Sequence, residues 1–299
     1  MKKTDNKLKR VASLIGDPFL QFEFPSSLEG INYYLVDKNR TTKYLSSSYL
    51  ARDRKKLSQS AIWQEHKEKF LNGKFLVSSG DLHFVSSSNI WAPSVDSFFL
   101  LHEFKRRNIL KNTSSILDMG AGTGVMGLGC IKINPSINFI AFVEKKVEAF
   151  KLIAQNILIN EVEKKNFNIL NSVSGKNIDF INIDLGVVTP FYIPVKKEFS
   201  KKLLNKTLKE AVKMISLTSK ITQKTYFVYS SSTVNELKKV ANFNWKNISS
   251  LEVPFPVELV KGNHSNIKKN ERFIKKEDSQ FPYWHKIILA KVLNVKKSK

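Results

Sequence analysis

Three glycines at alternate positions, Gly120, Gly122 and Gly124, follow closely on an acid, Asp118, that ends a short apolar run. A residue without a β-carbon accepts backbone angles closed to others, so Asp118-Met119-Gly120-Ala121-Gly122-Thr123-Gly124 can turn tightly and lie flush against a ligand. Val125 to Ile133 reads as a helix, and the unpaired N–H groups of its first turn would point at whatever the loop holds. Such a loop suits a nucleotide cofactor. A second acid, Glu144, stands twenty residues past Gly124.

Two cofactors compete for that loop. Gly122-Thr123-Gly124-Val125-Met126-Gly127 satisfies the dinucleotide pattern G-x-G-x-x-G, with Glu144 at the spacing of a ribose-binding acid. Asp118 tips the balance, because a nicotinamide-binding strand usually runs apolar into its glycines. A carboxylate there suits a cofactor that brings a cationic amine, as S-adenosylmethionine does. The helical stretch Ser94 to Arg107 precedes the first strand, whereas a dinucleotide domain usually begins at it.

Asp118 to Gly124 resembles motif I of the class I S-adenosylmethionine-dependent methyltransferases. Upstream, Ala92-Pro93-Ser94-Val95-Asp96-Ser97-Phe98-Phe99-Leu100-Leu101 is similar to the segment before motif I in HemK-like and other small-domain methyltransferases. The resemblance covers roughly residues 90 to 195. It implies a Rossmann-like α/β fold with a seven-stranded, mostly parallel sheet, and S-adenosylmethionine as cofactor. It also implies that Gly120, Ala121, Gly122, Thr123 and Gly124 line the cofactor, with Asp118 orienting the loop and the cofactor's amino acid part. Glu144 would take both ribose hydroxyls; a helix-start acid favoured by the dipole is the plainer alternative. Asn171 or Ser172 would lie near the adenine. Asp96 and Ser97 stand where the family meets the methionine end, and capping the helix that contains Phe98 explains them equally well.

The elements that must carry these residues alternate strand and helix, the signature of a parallel sheet flanked by helices. Strands are predicted at Ser115–Met119, Asn138–Val143, Asn168–Leu170, Asp179–Ile183 and Thr225–Tyr229, with Ile248–Val253 and Trp284–Val292 closing the sheet as an antiparallel pair. Helices are predicted over Lys145 to Asn160, with Val147, Phe150, Ile153, Ala154, Ile157 and Leu158 on its apolar face, and along the stripe Phe199, Leu203, Leu204, Leu208, Ala211, Val212 and Ile215. Thr233-x-x-Glu236 reads as a capping box. Residues 89–299 would form the methyltransferase domain. Residues 1–88 form an N-terminal extension with a charged helix over Ser46 to Leu71 and a hairpin of Lys74–Val77 with His83–Ser86 around Ser79-Gly80-Asp81.

Chemistry should reside at the end of the fourth strand, where HemK-like enzymes carry Asn-Pro-Pro-Tyr. This chain departs from that pattern. Counting without gaps from the strand puts Asp184 in the asparagine's place; matching by likeness puts Thr189-Pro190-Phe191-Tyr192 there. Register from a strand end favours Asp184, whose carboxylate could accept an N–H bond or act as a general base. A surface-turn acid is the plainer alternative.

Composition bounds the rest. With 42% hydrophobic residues and 21 Phe, the 299-residue chain has the means for a real core. Cys130, the single cysteine, can form no internal disulfide and reads as a small buried residue. Its five histidines show no metal-ligand spacing with it or with each other, so no metal is expected. No apolar run approaches the ~20 residues that span a bilayer, and no secretory signal follows the basic Met1–Arg10, so a cytoplasmic protein is expected. The net charge of +23 attracts polyanions, which makes RNA, a ribosomal component or a protein the expected acceptor. An AT-biased genome would encode the same mixture of Lys, Asn, Ile and Ser. A retained cofactor fold that only binds, and a nicotinamide oxidoreductase, are the competing functions.

Overall fold

The computed structural model describes residues 30–37, 40–50, 52, 55–56, 59, 62, 74–87, 89–162, 165–171, 182–190, 201–254, 274–275 and 283–295. The first four strands are β1 (Ile31–Asp37), β2 (Arg40–Ser47), β3 (Lys74–Ser79) and β4 (Leu82–Ser87). They form an antiparallel sheet in the order β2-β1-β3-β4. The hairpin around Gly80 is where the sequence puts it, and two further strands precede it. The helix expected over Ser46 to Leu71 lies mostly outside the described residues, and Ser46 and Ser47 close β2 instead.

Helix α1 (Val95–Arg106) then leads into β5 (Ser115–Met119), α2 (Val125–Ile133), β6 (Phe139–Glu144), α3 (Val147–Ile159) and β7 (Asn166–Asn171). After these come β8 (Ile183–Val188), α4 (Lys201–Ile221), β9 (Thr222–Ser230), α5 (Val234–Val240), β10 (Phe243–Pro254), β11 (Ile274–Lys275) and β12 (Tyr283–Val295). The main sheet runs β7-β6-β5-β8-β9-β12-β10, with β11 pairing off β12. From β7 to β9 all neighbours are parallel; β12 is antiparallel to both β9 and β10. The Rossmann-like sheet and its closing antiparallel pair are as expected. Strand order reverses between β5 and β8, so the crevice at their carboxyl ends is the switch point where such sheets bind ligands.

Side chains alternate across the strands because the backbone is pleated. Ile116, Ile140, Phe142, Leu185 and Val187 share one core with α1, α2 and α3. Leu117, Met119, Ala141, Val143 and Phe227 share another with Leu204, Leu208, Val212 and Ile215 of α4. Tyr33, Phe75 and Phe84 of the N-terminal sheet belong to the same core as Phe98 and Leu101 of α1, so apolar packing continues across residue 88.

Three local expectations need correcting. The fourth strand is described as Ile183–Val188, preceded by Asn182 at φ +70°, so it runs beyond the expected Asp179–Ile183, of which 179–181 lie outside the described residues. Val147 is exposed at the first turn of α3, whose buried face is Ala149, Leu152, Ile153, Asn156, Ile157 and Ile159. Thr233 makes no side-chain cap on α5, and its hydroxyl donates to the carbonyl of Ser230 instead.

Candidate cofactor and acceptor site

The loop from Gly120 to Gly124 leaves the carboxyl end of β5, at the switch point. Gly120, Gly122 and Gly124 all take positive φ, at 77°, 55° and 81°. A β-carbon on Gly120 would sit 2.7 Å from Met214 Cε of α4. The loop therefore needs glycine for its turns, whereas the Met214 methyl ends a flexible side chain that can shift. Backbone bonds seat it on the next strand: Gly120 and Ala121 N–H both donate to the Val143 carbonyl, at 2.8 and 3.1 Å, and Gly124 N–H donates to the Ala121 carbonyl at 2.8 Å.

Two carboxylates finish the loop. Asp118 is buried, and its Oδ2 accepts from Gly127 N–H, in the first turn of α2, at 2.9 Å. Its other oxygen has no partner among the described residues, nor has the buried hydroxyl of Thr123. Burial pushes the Asp118 carboxyl up to about 7; the Gly127 bond pulls it down and the nearby Glu144 charge raises it. Glu144 ends β6, where Oε2 accepts from Gly122 N–H at 3.0 Å and Oε1 from Lys145 and Lys146 N–H at 2.7 and 3.1 Å. Asn171 sits opposite Glu144 in register, at the carboxyl end of β7. Ala121 and Thr123 are buried within the loop. Every cofactor-binding candidate named from sequence thus lies along one rim of the sheet.

An orphaned, ionisable oxygen on Asp118 and an open glycine turn are what a cofactor with an ammonium group and a ribose requires. Asp118 could take the ammonium, Glu144 the ribose hydroxyls through lone pairs it still has free, and Asn171 a place beside the base.

Residues 81–216 match the family model described as the methyltransferase small domain. Over those residues, a little under half of the chain, the sequence is similar to that family. Curated protein sequences offer no match to the chain. Solved structures with a similar chain path include the M. jannaschii tRNA m1G37 methyltransferase, at 13% identity and a TM-score of 0.46, covering 74% of this chain and 55% of that one. A precorrin-6y C5,15-methyltransferase from Geobacter metallireducens is 11% identical with a TM-score of 0.44, covering 71% and 94%. M. jannaschii TYW2, solved in complex with AdoMet, is 15% identical with a TM-score of 0.40, covering 74% and 87%.

Asp184 does not stand at the carboxyl end of its strand, where the sequence reading placed the chemistry. It is the second residue of β8, at the amino end of the strand and away from the glycine loop. Its Oδ2 accepts from Ser114 N–H and Ser114 hydroxyl, both at 2.7 Å, and from Ser115 N–H at 3.0 Å, while Ser115 Oγ accepts from Asp184 N–H at 3.0 Å. Partial burial opposes its ionisation, but the Ser114 and Ser115 bonds outweigh that and hold the carboxyl below its ordinary range. Asp184 locks the start of β8 to the start of β5. Asp184→Ala should therefore cost about 1–3 kcal/mol of stability in urea melts, the worth of hydrogen bonds to a charged group, with methyl transfer per folded molecule unchanged.

The carboxyl end of β8 is Val188, and Thr189-Pro190 follow it. That is the alignment by likeness. Thr189 is half-buried and Pro190 buried at the rim beside the loop; Phe191 and Tyr192 lie outside the described residues, as does Ser172. Asp96 is buried at the start of α1, where it accepts from the Ser94 hydroxyl and, at 2.9 Å, from Ser97 N–H. Asp96 thus satisfies one N–H of the first turn of α1, while the N-cap residue, Ser94, makes no side-chain cap on the helix. A groove of about 900 Å³ beside Lys105, Thr113 and Ser114 opens at the amino end of β5 and contains none of the cofactor candidates. Sequence reading passed over Asn156 and Asn160, two fully buried amides on α3. Their signal was visible: a polar pair four residues apart inside an apolar stripe.

Among the described residues no helix is long and apolar enough to cross a membrane, and no cluster of His, Cys, Asp and Glu could hold a metal ion. Cys130 is buried as a free thiol.

Proposed function

We propose that this chain transfers the methyl group of S-adenosylmethionine to a nitrogen or oxygen of an RNA. The observation that carries the reading is the convergence of the glycine turn, Asp118 and Glu144 on the switch point of the sheet. Asp118 holds the cofactor's amino acid part, the amides and small side chains of Gly120, Ala121, Gly122, Thr123 and Gly124 line it, and Glu144 and Asn171 bind ribose and base. The bound cofactor supplies an electrophilic methyl on a sulfonium.

The acceptor reaches that rim at the end of β8. Thr189 offers a hydroxyl and a carbonyl there to orient an acceptor N–H or O–H, with Pro190 fixing the backbone that presents them. Orientation of this kind supplies several kcal/mol without any proton transfer.

RNA is favoured over other acceptors by where the free positive charge lies. Of the basic run Lys105-Arg106-Arg107, both arginines are committed to the buried Glu103, at 2.7–2.8 Å. On α4, by contrast, Lys206, Lys209, Lys213 and Lys220 are all exposed, and Glu210 is the only acid of the helix. The four span about 21 Å of helix, enough to follow several phosphates. Met214 of the same helix packs against the loop at Gly120, so the lysines flank the cofactor rim.

Incubation with cofactor radiolabelled in its methyl group and fractionated cell extract tests the reading: label should enter RNA. Exchange of the four α4 lysines for Gln should weaken RNA binding and flatten its salt dependence by roughly 0.7 log unit per lost phosphate contact on a single strand. Cofactor affinity should not move. Label confined to protein or small molecules would sink the RNA assignment.

A further inference from the structure

β4 is the last strand of its sheet, and among the described residues no strand pairs with its outer edge. Edge backbone groups normally go to water. Here they meet α3. Asn156 and Asn160, both fully buried, face the strand and complete its ladder with side-chain amides. Val85 N–H donates to Asn156 Oδ1 at 2.8 Å, and Asn156 Nδ2 donates back to the Val85 carbonyl at 3.1 Å. His83 N–H donates to Asn160 Oδ1 at 3.0 Å, and Asn160 Nδ2 returns to the His83 carbonyl at 2.7 Å. The match is one of periods: four residues of helix rise about 6 Å, and two residues of strand advance about 6.6 Å.

The two asparagines differ in one bond. Asn160 Nδ2 also reaches the Asn156 carbonyl, within its own helix, at 2.8 Å. Asn156 Nδ2 also reaches the carbonyl of Thr123, in the glycine loop, at 3.0 Å. The peptide between Thr123 and Gly124 is a rigid plane, so holding the carbonyl also fixes the Gly124 N–H that closes the turn onto Ala121. Further ties join the same elements near the Glu144 loop: Ser87 Oγ donates to Glu148 Oε1 at 2.7 Å, and Lys146 Nζ donates to the Asn89 carbonyl.

From this geometry we infer that Asn156 is a positioning residue for S-adenosylmethionine, setting the glycine loop from the edge of the N-terminal sheet. That sheet is then a working part of the cofactor site rather than a cover. The inference rests on the cofactor reading given above and adds to it a residue that touches no part of the ligand.

The test compares Asn156→Leu with Asn160→Leu in the full chain. Each removes one pair of β4 bonds; only the first frees the Thr123 carbonyl. Both should melt earlier than the wild type by similar amounts. Only Asn156→Leu should weaken S-adenosylmethionine binding by calorimetry, at least tenfold, and speed hydrogen exchange at Gly122 to Gly124 in the cofactor-free protein. If Asn156→Leu does not fold, Asn156→Ser, which leaves room for a water, takes its place. Cofactor affinities within twofold of each other for the two variants, or unchanged loop exchange, overturn the proposal. If the wild type binds no cofactor, the cofactor reading fails and the exchange comparison alone decides whether Asn156 sets the loop.

Discussion

The Asp118→Asn variant is expected to be more stable than the wild type at pH 8 and to bind S-adenosylmethionine at least 100-fold more weakly. Both effects follow from one buried carboxyl. Its pKa stands near 7 against an ordinary 3.8, chiefly because burial penalises the charge. The native state therefore keeps a proton that the unfolded chain has released between those two values. Stability contributed by Asp118 is full below about pH 4 and is lost as pH rises through 7, by up to about 4 kcal/mol. An amide carries no such penalty. It keeps an acceptor for Gly127 N–H and leaves its NH₂ unpaired among the described residues, which costs about 1–3 kcal/mol. The net gain at pH 8 is about 2 kcal/mol in urea melts. The same exchange removes the charge that would pair with an ammonium group, and losing one partner of a buried pair costs about 3–5 kcal/mol. In the wild type, affinity should fall about tenfold per unit below pH 7 as Asp118 protonates.

His285 makes the stability profile informative. It is buried on β12, its Nδ1 paired with Ser230 Oγ at 2.7 Å, and burial lowers its pKa to about 3 from 6.5. Its depressed value works in the opposite direction: stability is present above 6.5 and lost as pH falls toward 3. Between about pH 4 and 6.5 the two groups oppose each other, so the wild type should show little net slope from them. Asp118→Asn should uncover the His285 slope, about 1.4 kcal/mol of stability gained per pH unit. A variant that shows no such slope would contradict the assignment of the flat profile to this pair.

The second large effect concerns Glu144. Its two oxygens face donors on opposite sides, Gly122 N–H on one and the Lys145 and Lys146 N–H groups on the other. Glutamine looks conservative and is not: whichever way its amide turns, an NH₂ faces an N–H. Glu144→Gln should weaken cofactor binding by roughly 30–100-fold, about 2–3 kcal/mol, through loss of charge-assisted bonds and displacement of the loop at Gly122. Removing the Glu144 charge also relieves Asp118, whose carboxyl it pushes up. The midpoint of the binding profile should therefore move to lower pH in this variant. Calorimetry between pH 5 and 8 reads both effects.

Much of this site could be read from letters because its residues are adjacent in the chain. Asp118 to Gly124 is one loop, and Glu144 closes a strand whose unbroken apolar run, Phe139 to Val143, announces burial on both faces. The fourth strand was misread for a comparable reason. Ile181-Asn182-Ile183 continues the apolar alternation, while the left-handed turn at Asn182 leaves no mark in composition. Gly186 lies inside β8, where a β-carbon would come within 2.2 Å of Thr218 Cγ2 on α4; close packing demands it. Asn156 and Asn160 stood out only as a polar pair inside an apolar stripe; their roles did not, since their partners on β4 lie more than seventy residues away. The N-terminal sheet escaped because β1 and β2 precede a charged stretch whose pattern reads as helix.

The placement of β12 between β9 and β10 has a consequence for biosynthesis. Both neighbours leave the ribosome before it does, and β12 then pairs along the length of β10 and along Tyr226–Ser230 of β9. A nascent chain grown as far as residue 254 has made both flanks with nothing to join them. Its exposed ladder of β9 is an invitation to strands of other chains. Closure must therefore wait for β12, and slowing translation between residues 254 and 283 should prolong dependence on chaperones.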